Sequence, residues 1–275
     1  MSGLKFSLIY ATNRPGGFDL LVESLRNQPP HLYELIVVDN YEDRPRRGTV
    51  PEYILRNNIP LRAYVTPSIP PGTPNKKGMA RAYNAGALWA TTDHIVIVND
   101  FCWFPPGWAC QWYETICTCQ ANTMISGTAS LHRASSPHEL GDISIWIGEN
   151  PCWWHVGPEL ELWTPKFFET FHSYFPVHFF EATNGLDERK SIEAMGEAMF
   201  AQSQMLGYQR WVEPKIRIGM IDHRAWGGEI WSGVYPRKST PEPEIDIQLV
   251  SPNPYCFKDI RDDLLGKEWN GVMGI

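Results

Sequence analysis

Short apolar runs and helical periodicity alternate through the first hundred positions. Residues 5–10 read as a strand, and residues 33–38, 61–65 and 94–98 as three more. The runs at 35–38 and 95–98 show no polar alternation, the pattern of strands covered on both faces of a parallel sheet. Between them the period becomes helical: 17–27 sets Phe18, Leu21, Val22 and Leu25 on one face, and 77–90 does so with Ala80, Tyr83, Ala87 and Leu88. A short helix is expected over 51–57, and loops over the charged stretch 41–49 and over 67–74, where four prolines and a glycine restrict the backbone. This alternation predicts an α/β fold, a mostly parallel, Rossmann-like sheet flanked by helices.

Past residue 101 the texture changes. A helix is expected over 105–119, a strand over 123–129, a polar loop over 131–142, and strands over 143–147 and 159–163. Residues 165–174 read as a helix. So do 192–206, which Gly207 ends as a C-cap. Short strands at 211–213 and 216–220 lead to Asp222-His223-Arg224. From Ala225 the chain is rich in Gly, Pro and charge, and it reads as a mobile loop and C-terminal extension with one helix over 258–265. The expected organisation is a domain over 1–224, in two halves, 1–101 and 102–224, followed by 225–275.

Composition narrows the class. Hydrophobic residues make up 43% of the 275, which excludes disorder as the main state. The balance of 24 basic and 31 acidic residues gives a net charge of −7, which speaks against a nucleic-acid partner. No apolar run approaches the length of a membrane span. The first residues lack the pattern of a signal peptide. The six cysteines form no CxxC pair and no disulfide spacing. Together these point to a cytoplasmic protein with reduced thiols.

In open parallel sheets, ligands bind beyond the carboxyl ends of the strands. That rim would carry Thr12, Asn13 and Arg14, then Asp39-Asn40, then Asn99-Asp100. Asp39 can accept hydrogen bonds from a base or ribose, and Asp100 can hold a divalent cation or lie beside a pyrophosphate. Either aspartate alone could simply terminate a strand. Both together on one rim point to a ligand site.

These residues carry a resemblance. Phe6-Ser7-Leu8-Ile9-Tyr10-Ala11-Thr12-Asn13-Arg14, Leu25, and Glu34-Leu35-Ile36-Val37-Val38-Asp39-Asn40 resemble the opening of family 2 glycosyltransferases, which have the GT-A fold. Asn75-Lys76-Lys77-Gly78, Arg81, Asn84-Ala85-Gly86 and Ala90 are similar to that family's glycine-rich helix segment. Residues 94–101 with Pro106-Gly107-Trp108 resemble its metal-binding strand end. Gly185-Leu186-Asp187-Glu188 is similar to its G-F-D-E element, and Gly207-Tyr208, Pro214 and His223 resemble its closing segment. The resemblance spans residues 5–224.

It implies a nucleotide diphosphate sugar donor (a UDP- or GDP-sugar), bound by the first half. Thr12, Asn13, Arg14 and Asp39 would lie near base and ribose, Lys77, Arg81, Asn84 and Asn99 near the donor, and Asp100 on Mn²⁺ or Mg²⁺ with His223 as a further contact. The triplet Asn99-Asp100-Phe101 carries one carboxylate where the family carries more. The alternative is a metal-free site using Lys76, Lys77 or Arg224. An inverting transfer needs a general base. Glu197 stands at the family's acidic pair, although Ala198 replaces its aspartate. Glu193, one turn earlier, competes, and Asp187 and Glu188 follow. Both helix glutamates could equally be a solvated face. The second half would bind the acceptor. Most of its aromatic residues read as core, whereas Trp153 and Trp154, in a loop, are candidates to stack on a sugar. The loop cluster Arg44, Arg46, Arg47 reads as solvated rather than as a contact for an anionic acceptor. Gly227-Gly228 could hinge a closing loop.

The expected activity is therefore glycosyl transfer to the hydroxyl of a glycan, a lipid-linked sugar or another acceptor. Two alternatives stand beside it. One is a sugar-phosphate nucleotidyltransferase, which residues 11–17 match only faintly. The other is a non-catalytic carbohydrate-binding protein on a degenerate transferase fold, favoured by Phe101 and Ala198.

Overall fold

The first strand, β1 (Phe6–Thr12), is buried along its whole length. Successive side chains of a strand point to opposite faces. Phe6, Leu8 and Tyr10 accordingly enter one apolar layer, and Ile9 and Ala11 the other. β2 (Tyr33–Asp39) and β4 (His94–Asn99) divide the same way, with Leu35, Val37, Val96 and Val98 on one side and Ile36, Val38, Ile95 and Ile97 on the other. The continuous apolar runs thus feed two cores, one on each face of the sheet. The computed structural model describes residues 5–12, 17–40, 44–66, 78–100, 102–132, 161–162, 172–190, 192–221, 247–267 and 272–273.

Helix α1 (Phe18–Arg26) covers the first face through Phe18, Leu21, Val22 and Leu25. Helix α2 (Arg44–Arg56) corrects the expected loop over 41–49, since it begins well before Pro51. Val50 and Ile54, one turn apart, pack on the first core, and that tertiary contact outweighs the poor local helix propensity of Gly48 and Pro51. β3 (Leu61–Val65) follows. Helix α3 (Gly78–Trp89) covers the second face and lies flat on β1: a Cβ at Gly86 would fall 2.4 Å from Ile9 Cγ2.

After the short β5 (Cys102–Trp103), helix α4 (Trp108–Thr118) buries Trp108, Ala109, Trp112 and Ile116. β6 (Thr123–His132) runs past the expected end at 129, and β7 (Glu161–Leu162) is a two-residue strand within the expected 159–163. Residues 172–174, read as the end of a helix, belong to strand β8 (His172–Pro176), and helix α5 (Val177–Thr183) follows without a counterpart in the sequence reading. The physical reason is alternation: Tyr174 enters one core and Phe175 the other. Helix α6 (Ile192–Met205) agrees with the sequence. β9 (Gln209–Ile221) is one strand instead of two. Its pairing with β6 jumps from Ser126↔Val212 to Thr128↔Arg217, so the stretch around Pro214, which lacks an N–H to donate, bulges out. Helix α7 (Phe257–Leu264) and strand β10 (Val272–Met273) complete the described elements.

The sheet order is β10-β3-β2-β1-β4-β8-β6-β9-β5, with β7 on β9. The neighbours from β10 to β4 are parallel, and β8 is antiparallel to both β4 and β6. The segment 247–267 packs on this body: Phe257 is fully buried and stacks on Phe180 with centroids 5.7 Å apart. Among the described residues no helix is long and apolar enough to cross a membrane.

Candidate functional site

The strand register builds the rim. Thr12 pairs with Asp39, and Ala11 pairs with Asn99, so Thr12 is flanked by Asp39 at the end of β2 and by Asp100 just past the end of β4. All three are nearly fully buried. A buried carboxylate is costly unless it is hydrogen-bonded. Thr12 Oγ1 donates to Asp100 Oδ2 at 2.9 Å, and the Tyr64 hydroxyl donates to Asp39 Oδ2. Tyr64 pairs with Val37, two residues before Asp39 on the same face, so its ring reaches diagonally to that carboxylate. The Asn40 amide closes the corner by donating to the Thr12 carbonyl at 2.8 Å.

Helix α3 is fastened to this rim. Asn40 Nδ2 donates to the Gly78 carbonyl at 3.3 Å, and the Tyr83 hydroxyl donates to Asn99 Oδ1. Asn84, fully buried one residue on, takes the loop after α5. Its Oδ1 accepts from Leu186 N at 2.7 Å, and its Nδ2 donates to the Leu186 carbonyl at 2.8 Å and to Glu188 Oε1 at 3.1 Å. Gly185, at φ +75°, permits this approach, because a Cβ there would lie 2.8 Å from Asn84 Oδ1.

The candidate carboxylates separate clearly. Asp187 accepts from Arg189 Nε and Nη2 at 3.0 and 2.9 Å, with Lys190 Nζ at 3.9 Å. Burial raises the Asp187 pKa, but the Arg189 bonds and the two cations outweigh burial and hold it below the usual range. Its oxygens are engaged locally. Glu197 is exposed on α6 and makes no hydrogen bond or ion pair with the described residues. Glu188 is half-buried and joined to Asn84. The side chain of Glu193 lies outside the described residues, as do Asn13, Arg14, Lys77, Trp153, Trp154, His223, Lys76, Arg224 and Gly227-Gly228. Arg81 is half-buried in the first turn of α3.

Three tyrosines at the rim escaped the sequence reading: Tyr64, Tyr83 and Tyr255. Tyr64 and Tyr83 sit in apolar patterns that read as core. Only the β2–β3 register, which sets Tyr64 opposite Val37, puts Tyr64 on the same sheet face as Asp39. Trp108 and Trp112 are core rather than acceptor surface, since both indole N–H groups donate to the buried His172 Nε2, at 3.0 and 3.3 Å. Among the described residues no group of three or more His, Cys, Asp or Glu could hold a metal ion.

Residues 8–129 match the profile of Glycosyl transferase family 2. Among solved structures, residues 1–349 of TarS from S. aureus align over 79% of this chain at 15% identity, with a TM-score of 0.55. The same protein in complex with UDP gives 0.56 over 80%. The mannosyltransferase PcManGT from Pyrobaculum calidifontis, in complex with GDP-Man and Mn²⁺, gives 0.55 over 81%, again at 15% identity. The chain has a GT-A fold, and residues 8–129 are similar to family 2. It spans 60%, 61% and 58% of these three structures. No curated protein sequence matches it. The segment that matches the family contains Thr12, Asp39, Arg81, Asn84, Asn99 and Asp100. The loop bearing Asp187 and Glu188 lies beyond it.

Proposed function

We propose that the chain transfers a sugar from a nucleotide diphosphate sugar to an acceptor hydroxyl. The observation that carries this reading is the buried pair Asp39 and Asp100 on either side of Thr12, at the carboxyl ends of a GT-A sheet. TarS in complex with UDP and PcManGT in complex with GDP-Man support a UDP- or GDP-sugar as donor. Asp39 would accept from base or ribose, with Asn13 and Arg14 beside it. Lys77, Arg81 and Asn99 would line the donor. Residues 1–101 would form the donor half, and 102–224, with Trp153 and Trp154, the acceptor half.

The donor set at the strand end fits a hard divalent cation held mostly by diphosphate oxygens. Asp100 offers a carboxylate already oriented by Thr12, and His223 is the second candidate from the protein. A Mn²⁺ or Mg²⁺ ion bound there would stabilise charge on the departing diphosphate.

The transfer would be a single inverting displacement. The acceptor oxygen bonds to the anomeric carbon, and the bond to the diphosphate oxygen breaks with its electron pair. The hydroxyl proton passes to a carboxylate. Glu188 is the better-supported base, because it is half-buried and fixed by Asn84, whereas Glu197 is exposed. A non-catalytic binding role has one specific observation in its favour: Ala198 is buried and supplies no carboxylate.

Calorimetry with UDP and GDP, with and without Mn²⁺, should show binding that Asp100→Ala weakens. Release of nucleoside diphosphate from a sugar donor should fall about 100-fold in that variant. Absence of binding to either nucleotide overturns the reading. Binding without any release favours the non-catalytic role.

A further inference from the structure

The segment 247–257 lies far from the rim in sequence, and residues 8–129 do not include it, yet it is laced to the loop that carries Glu188. Ser251 N donates to the Thr183 carbonyl at 2.7 Å, and Ser251 Oγ donates to the Gly185 carbonyl at 2.6 Å. Asn253 Nδ2 donates to the Asn184 and Leu186 carbonyls at 2.8 and 3.0 Å, and its Oδ1 accepts from Glu188 N at 3.3 Å. Asn184 answers from the loop, with Nδ2 donating to the Ser251 and Tyr255 carbonyls and Oδ1 accepting from Phe257 N. These bonds all involve the main chain and fix its path.

Tyr255 does something different. Its hydroxyl donates to Glu188 Oε1, and Asn84 Nδ2 reaches the same hydroxyl at 3.3 Å. Glu188 Oε1 therefore receives two donors, from α3 and from the C-terminal segment. Oε2 has no hydrogen-bond partner among the described residues. Burial, and then the Glu188 carboxylate, raise the Tyr255 pKa, so the phenol keeps its proton and remains a donor throughout the working pH range. Arg81, on α3, is the cation whose field reaches Tyr255.

We propose that Tyr255 is a positioning residue of the transfer site: with Asn84 it pins one oxygen of Glu188 to the rim and leaves the other for the incoming acceptor hydroxyl. The proposal rests on the glycosyl-transfer reading above and adds a part that the sequence resemblance, ending at residue 224, does not reach. A carboxylate held by two donors on one oxygen keeps a single orientation. Geometry of this kind contributes to the turnover step and not to donor affinity.

The test compares Tyr255→Phe, Glu188→Gln and the double variant, assayed for nucleoside diphosphate release from UDP-glucose, UDP-N-acetylglucosamine and GDP-mannose. UDP and GDP affinity and thermal midpoints are measured alongside. Tyr255→Phe should lower kcat about tenfold with KM and nucleotide affinity within about twofold. In the Glu188→Gln background it should have no further effect, because the group it orients is gone. Ser251→Ala, which loosens the same segment without contacting Glu188, should lower the thermal midpoint and leave kcat unchanged. Equal kcat in Tyr255→Phe, multiplicative losses in the double variant, or a loss in Ser251→Ala matching that of Tyr255→Phe would each overturn the positioning role while leaving the transfer reading intact. A wild-type chain that binds neither UDP nor GDP and releases neither overturns both.

Discussion

His172 satisfies both of its ring nitrogens inside the core. Nδ1–H donates to the Thr128 carbonyl at 3.2 Å, and Nε2 accepts from the two indoles. That pattern requires the neutral ring, and burial lowers its pKa from the ordinary 6.5 to about 3. Above pH 6.5 the imidazole is neutral in both states and contributes no slope. As pH falls from about 6.5 towards 3, the unfolded chain takes up a proton that the folded chain refuses, and stability drops by up to about 1.4 kcal/mol per pH unit. His172→Leu should cost about 2–5 kcal/mol, because two indole N–H groups and a carbonyl lose their partner in the core. The variant should also flatten the acid slope. Urea titrations of both proteins between about pH 7 and 4 check this, and an unchanged slope in the variant would remove His172 from the account.

At the scale of elements, the seating of α3 on β1 is the sensitive joint. A methyl at Gly86 would meet Ile9 at 2.4 Å, in the middle of a packed layer. Gly86→Ala should destabilise by about 1–3 kcal/mol. Because Tyr83 and Asn84 sit one turn or less away, any lift of the helix also loosens Asn99 and the Glu188 loop. Donor turnover, corrected for the folded fraction, should fall with the thermal midpoint. A variant with full turnover would show that the helix adjusts without moving its rim end. The same joint explains what was legible in the sequence. β1, β2, β4, α1 and α3 lie close to their expected bounds because their burial is local and periodic. β8, α5 and the first half of α2 were not legible. His172 and Tyr174 take their places from α4 and the neighbouring strands, and α2 is held by Val50 and Ile54 against a core built elsewhere. Thr12, Asp39 and Asp100 could be placed because polar residues after apolar runs mark strand ends. Tyr255 could not, since its partner Asn84 is 171 positions away.

For the molecule as a whole, the C-terminal segment behaves as part of the body. Phe257→Ala would empty a fully buried site against Phe180 and should cost about 3–5 kcal/mol. Limited proteolysis should then cut within 247–267 well before the sheet is degraded. A protection pattern like that of wild type would show that the lacing around Asn184 and Ser251 suffices without the ring. The sheet order carries a consequence for the growing chain. β8 lies between β4 and β6, so β4 gains its second neighbour only about 70 residues after it is made. At typical synthesis rates that is roughly 4–15 s with an apolar strand edge exposed. Strands that wait for distant partners fold slowly and invite wrong pairings in the interval. Residues 8–129, though they match the family profile, lack β8, and expressed alone they would present the edges of β4 and β6 to solvent and to each other's copies.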